Sequence, residues 1–315
     1  MSETNGAIET IDFVTVVYEH DIFSMKLQAR SVARNFRGDD IGRIFIIVNE
    51  LAPEYCYSLL QRHVLPEYGR LISKVEIIPM TRMMRPHVRI SGLKSQQALK
   101  LLASRLVGSR FYTALDAKNH LIQPSALESV VDLKSKKART HKNRRNRAPD
   151  KTLMEALEYF QATPTDFELP STAPFTFHAA SVRQMIDEIE TREGAHFDDF
   201  MLDRGWGFTE YSLYFAYLLT KETGPAELYR FASRNAALIA RRAPAEGDAF
   251  NEFIEGLEAN PVMTFGIHRS RVATLSEAEW DKIIPVWLKA ELFDDAGAAK
   301  QFLSELTQEA RSKVS

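Results

Sequence analysis

Short apolar runs alternate with longer amphipathic segments through the first part of the chain. DFVTVVYE (Asp12–Glu19), RIFIIVN (Arg43–Asn49), KVEIIPM (Lys74–Met80) and RFYTALD (Arg110–Asp116) are brief and rich in β-branched and aromatic residues. That pattern predicts buried strands. Between them lie IFSMKLQARSVARNF (Ile22–Phe36), EYCYSLLQRHVL (Glu54–Leu65) and KSQQALKLLASRLV (Lys94–Val107), whose apolar residues recur at helical spacing. Strand–helix alternation predicts an α/β unit with a mixed, mainly parallel sheet flanked by helices. Open sheets of this kind take ligands at the carboxyl ends of their strands. Tyr18, Glu19, Asn49 and Asp116 stand at such ends.

The pattern then breaks. Lys134–Lys151 holds nine Lys and Arg residues against one acid, Asp150, and shows no apolar periodicity, so it reads as a mobile loop. Beyond it, Ala173–Ala180 is extended and leads into a helix from Ser181. Phe208–Glu222 is an aromatic-rich buried helix, followed by Glu227–Arg242. Pro261–His268 is a last strand, and Ser276–Phe293 is helical around an internal Pro285. These breaks divide the chain into an α/β half (1–133), the basic loop (134–151), a half completing the same domain (152–275) and a helical C-terminal part (276–315).

Composition narrows the options. Hydrophobic residues at 45% suffice for a sizeable core, and a net charge of −2 excludes a protein that is basic throughout. A single cysteine, Cys56, cannot form an internal disulfide, which predicts a reducing, cytoplasmic setting. No run approaches the length of a membrane span. The basic loop suits either plain solvation or contact with anionic headgroups on the inner membrane face. It lacks the aromatic residues of a nucleic-acid patch, so no nucleic-acid partner is expected. A glycine-rich dinucleotide turn, a Walker loop, a zinc-protease motif and a nucleophile elbow are all missing from the sequence.

Five segments, in order, resemble the GT-A glycosyltransferases, and more narrowly an uncharacterised bacterial group of that type. They are Asp12–Phe36, SGLKSQQALKLLASRLVGSRFYTALDAKNHLIQP (Ser91–Pro124), PFTFHAASVRQMI (Pro174–Ile186), GFTEYSLYFAYL (Gly207–Leu218) and MTFGIHRSR (Met263–Arg271). The resemblance implies a GT-A-like, Rossmann-like fold. It also implies transfer of a sugar from a nucleotide-sugar donor to a glycan or lipid-linked acceptor, in surface polysaccharide or glycolipid synthesis. In that fold an Asp-x-Asp motif after a central strand holds Mn²⁺ or Mg²⁺ against the donor diphosphate, because a hard cation with oxygen ligands absorbs the charge of the leaving group.

Asp116 matches the first aspartate of that motif, and Lys118 stands in place of the second. Lys118 could supply the positive charge itself. A metal could instead be held by Asp116 with His268, helped by Asn119. Donor binding could also be lost. The resemblance makes Tyr18, Glu19, Asn49, Gln97 and Lys100 donor-contact candidates, and places His178 and Trp206 toward the acceptor. Glu210 and Asp203 are the candidate bases for an inverting reaction. Each has a plainer reading as a packed, capping or solvated side chain. The competing functions are a non-catalytic binding or scaffold protein of a polysaccharide assembly and, more weakly, a nucleotidyltransferase.

Overall fold

A computed structural model describes residues 9–85, 92–144, 149–203 and 207–312. In chain order the strands are β1 (Ile11–Val17), β2 (Ile41–Val48), β3 (Val75–Pro79), β4 (Phe111–Leu115), β5 (Asn119–Leu121), β6 (Val131–Asp132), β7 (Lys137–Thr140), β8 (Asn143–Arg144), β9 (Phe167–Glu168), β10 (Phe175–His178), β11 (Tyr229–Phe231), β12 (Ala236–Ile239) and β13 (Thr264–Ile267). The central sheet has the order β10-β4-β1-β2-β3. Its β1, β2, β3 and β4 pair in parallel and are the four strands predicted from the apolar runs. β10 joins the β4 edge antiparallel. The sheet is mixed and mainly parallel, as expected.

Every residue of β1 is buried, since helices cover both faces of the sheet and leave no polar side to alternate toward. Asp12 is the one charged residue of β1. Its carboxylate accepts backbone N–H groups from Arg43 (2.7 Å), Gly108 (2.9 Å) and Ser109 (3.1 Å), tying the amino-terminal ends of β1, β2 and β4 together.

Two cores meet at the helix Ile22–Asn35. Ile22, Met25, Ala29 and Val32 pack into the core of the central sheet, while Leu27 packs into a second core. Apart from Leu27 and Ile122, that second core is built from residues between Ala237 and Ala310. It is enclosed by the three-stranded sheet β12-β13-β5 and the helices Asp248–Ala259, Glu277–Lys289 and Ala296–Ser312. Residues 237–275 therefore share a core with the C-terminal helices, and the sequence division at 275 falls inside one packed unit. The cause is pairing that the sequence pattern does not display: β13 lies parallel to β12 and antiparallel to β5.

The basic segment read as an irregular loop also carries regular structure. β7 is the middle strand of the sheet β11-β7-β6, and β8 pairs with β9. Several of its cations are committed internally. Lys137 Nζ donates to the carbonyl of Ala226 at 2.6 Å, Arg139 pairs with Asp132 at 3.2 Å, and the ammonium of Lys142 lies over the rings of Phe167 and Phe231. A run of charge hid β7 because its single apolar anchor, the buried Ala138, is too small to mark a strand.

The helix Glu210–Leu219 is buried on every side, as its composition predicts. Thr209 and Ser212 cap it reciprocally.

Candidate functional site

The loop after β4 is held from below by a polar stripe on the helix Ile22–Asn35. Gln28 and Ser31 are three apart and Asn35 follows at four, so all three share one face. All three are buried. The amide of Gln28 accepts from Thr15 Oγ1 (2.8 Å) and donates to the carbonyls of Asp116 (2.7 Å) and Asn119 (3.0 Å). Ser31 Oγ accepts the backbone N–H of Leu121, and Asn35 donates to the carbonyl of Ala290. Within the loop, Asn119 Oδ1 accepts the N–H of Asp116 at 2.9 Å. Gly266 on β13 lets the neighbouring strand close on this turn, since a Cβ there would meet Asn119 Nδ2 at 3.1 Å and the carbonyl of Lys118 at 3.3 Å.

A ladder of alternating charge then runs outward. Buried Glu210 accepts from Lys100 Nζ at 3.0 Å, Lys100 donates to Asp116 Oδ1 at 2.6 Å, and Lys118 pairs with Asp116 Oδ2. Lys100 also reaches Tyr211 Oη at 3.3 Å. Burial opposes charge on Lys100, but Glu210, Tyr211 and Asp116 outweigh it and raise its pKa well above the usual value. Burial likewise opposes charge on Asp116, and Lys100 and Lys118 overcome it, holding the carboxyl well below the usual range.

Asp116 and Lys118 open into a cavity of about 710 Å³ at the carboxyl ends of β1, β2 and β4. Tyr18, Glu19 and Asn49, all expected at this rim, line it together with Asp21, Glu50, Gln96, His268 and Arg269. The cavity is polarised. Glu19 and Glu50 lie on the β1–β2 side, where the N–H of Glu19 donates to Glu50 Oε1 at 2.5 Å. Lys118 and Arg269 act together on the other side, since both depress the pKa of His268, after burial, which is the largest cause. The Arg269 guanidinium also hydrogen-bonds Tyr18 Oη and lies 5.5 Å from the Tyr18 ring centre.

Asp21 is a component that the strand-end argument missed. Its carboxyl is pushed up to about 7, chiefly by burial, with a further contribution from Asp116, against the lowering influence of Arg269 and Lys118. The folded protein thus keeps this proton up to about pH 7, while the unfolded chain releases it near 3.8. Stability falls as pH rises through that window. Asp21→Asn is expected to melt several degrees above wild type in alkaline buffer and close to wild type in acid, as thermal melts at the two pH values would read.

The other expected site residues lie elsewhere. Gln97 is buried outside the cavity, and its Oε1 has no hydrogen-bond partner among the described residues. Lys100 and Glu210 stand behind Asp116 as supports, and Glu210 is enclosed by its pairing with Lys100. His178 is at the far end of the sheet: it pairs with Phe111, the first residue of β4, while Asp116 follows the last. Five strand residues put these ends about 17 Å apart. His178 caps the helix Ala179–Glu193 through Ser181 and faces a separate cavity with Arg110 and Gln184. Its antiparallel pairing, unreadable from a lone apolar run, is the reason. Asp203 ends the helix Phe197–Asp203, while its side chain and Trp206 lie outside the described residues.

The metal expectation meets the wrong donor set. Both oxygens of Asp116 are taken by ammonium groups, Asn119 Oδ1 by a backbone N–H, and His268 Nδ1 by Ser270. Among the described residues no group of three His, Cys, Asp or Glu side chains could hold a metal ion. The residues present do not fit the divalent cation that the Asp-x-Asp resemblance implies.

Solved structures that this chain matches include the bifunctional glycosyltransferase WbbM in its apo form, with 13% identity, 83% of this chain and 47% of that chain covered, and a TM-score of 0.45. This chain therefore spans about half the length of WbbM. The galactosyltransferase LgtC in complex with donor and acceptor sugar analogues matches at 13% identity over 95% of each chain, with a TM-score of 0.44. An active-site mutant of LgtC matches at 12% identity over 89% of this chain and 100% of that one, with a TM-score of 0.48. No curated protein matches the sequence. The model of DUF6492, a family of unknown function, matches residues 6–243, and the chain belongs to that family.

Proposed function

We propose that this protein is a glycosyltransferase whose cavity binds a nucleotide-sugar and passes the sugar to a glycan or lipid-linked acceptor. The observation that carries the reading is the polarised cavity at the strand ends. Acidic and amide groups at the end of β2 suit the hydroxyls of a ribose, the use to which α/β nucleotide sites put an acid in that place. Tyr18 offers an aromatic face to a base. Lys118 and Arg269 meet the phosphates, and as the sugar bond breaks they stabilise the charge that accumulates on the departing nucleotide. Asp116, fixed by Gln28 and Asn119 and kept ionised by Lys100, holds the Lys118 ammonium in place. Asp21, with a pKa near neutrality, is the cavity group best matched to moving a proton at neutral pH.

Thermal melts against a panel of nucleoside diphosphates and nucleotide-sugars test the reading, because a ligand that binds the folded state alone raises the melting temperature. One base should stand out, and Tyr18→Ala should cut that affinity about tenfold, the loss of one stacking contact. A panel that leaves the melting temperature unmoved would sink the proposal.

A non-catalytic binding protein is the second reading. It is favoured by the enclosure of Glu210 and Asp116 in the lysine ladder. It predicts the same thermal shift with no release of nucleotide from any nucleotide-sugar, with or without an added acceptor extract.

A further inference from the structure

We infer that the cavity binds the diphosphate of its ligand through the side chains of Lys118 and Arg269, with no divalent cation between protein and phosphate. The inference rests on the nucleotide-sugar reading above and specifies how that ligand is held.

Glu210, Lys100, Asp116 and Lys118 form a chain of alternating charge in which Lys100 and Asp116 each lie between two opposite partners. Lys100 is buried, and the Asp116 carboxylate has given both oxygens to ammonium groups. The cavity end of the chain is therefore the Lys118 ammonium. Of its three donors, one is directed at Asp116, which leaves two for phosphate oxygens. A lysine held this way is a fixed point charge, the role lysine takes toward phosphates. Arg269 adds a planar fork of donors beside it, steadied by Tyr18.

His268 Nδ1 accepts the N–H of Ser270 at the start of the helix Arg269–Val272. A cation entering here would displace Lys118 from Asp116 and then sit between two resident cations. Lys118 and Arg269 are the two Lys or Arg side chains that line the cavity among the described residues, one for each phosphate of a diphosphate. Binding by side-chain cations alone is salt-sensitive, since exposed charge interactions weaken as ionic strength rises.

The test is titration calorimetry of the full chain with UDP, GDP, CDP and ADP, each in EDTA and again in Mn²⁺. The expected result is one preferred nucleotide with the same affinity in both buffers. Lys118→Ala and Arg269→Ala are each expected to weaken it about 10- to 100-fold, the loss of a charge-assisted contact, with melting temperatures near wild type in the absence of ligand. Lys118→Asp, which installs the missing carboxylate, should abolish binding in EDTA. Wild-type binding in Mn²⁺ that disappears in EDTA would overturn the inference and leave the nucleotide reading standing. Binding in EDTA that neither alanine variant weakens would likewise overturn it. Absence of binding in both buffers would remove the nucleotide reading, and this inference with it.

Discussion

Lys100→Met is expected to lower the melting temperature by about 10 °C. The ammonium is buried and serves Glu210, Asp116 and Tyr211 together. Removing one partner of a buried ion pair costs about 3–5 kcal/mol, because the opposite charge is left uncompensated. Each kcal/mol moves the melting temperature of a 150–250-residue domain by about 2–4 °C. Glu210 suffers most, since it has almost no access to solvent, whereas Asp116 keeps Lys118. Adding Glu210→Leu to Lys100→Met should therefore restore about 2 kcal/mol or more, as buried pairs replaced by apolar groups of similar size often show. Differential scanning calorimetry of the two variants decides the point. A double variant no more stable than the single would mean that Glu210 is not the charge left stranded.

Trp287→Ala is the second large effect, at about 3–5 kcal/mol for the cavity left in the second core. Its consequence is not confined to packing. Trp287 Nε1 donates to His120 Nε2 at 2.8 Å, which places the His120 proton on Nδ1, 3.3 Å from the carbonyl of Lys118. The indole thus holds the backbone of Lys118 through one imidazole. Burial lowers the His120 pKa to about 4 from 6.5. The unfolded chain takes up this proton first as pH falls, so stability is lost between about 6.5 and 4 and is fully present above that window. Trp287→Phe keeps most of the volume and removes the donor. Its cost should be about 1 kcal/mol or somewhat more, with a weaker acid dependence. Urea denaturation at neutral and acid pH measures both effects.

The central sheet was legible because a strand buried on both faces writes itself as a continuous apolar run, and β1, β2 and β4 do so. The rim of the cavity followed from the same logic, since a strand end names its own residues: Tyr18, Glu19, Asn49 and Asp116. Asp21 and Arg269 were missed because each owes its place to tertiary closure, one in the turn after β1 and the other far along the chain. Gln28, Ser31 and Asn35 did leave a trace, uncharged polar residues on one face of a helix that also carries an apolar face and the cationic run Lys26, Arg30 and Arg34. His178 was misplaced since an isolated apolar strand carries no sign of its direction. Lys118 was visible, but its role depends on Lys100, whose burial no local pattern reveals.

The closing wall of the cavity has a consequence for the order of assembly. β13 pairs with β5 across a long stretch of intervening chain, and His268 and Arg269 follow it directly. While the chain is being made, β1, β2 and β4 can form before these residues exist. Contacts between such distant segments form slowly, because closing a long loop costs entropy before any contact rewards it. The half-made site would display its acids, Asp116 and Lys118 without Arg269, an open shelf with a weakened hold on phosphate. Ligand binding is then a late event in folding, and a nucleotide added during refolding should slow unfolding without speeding the first collapse.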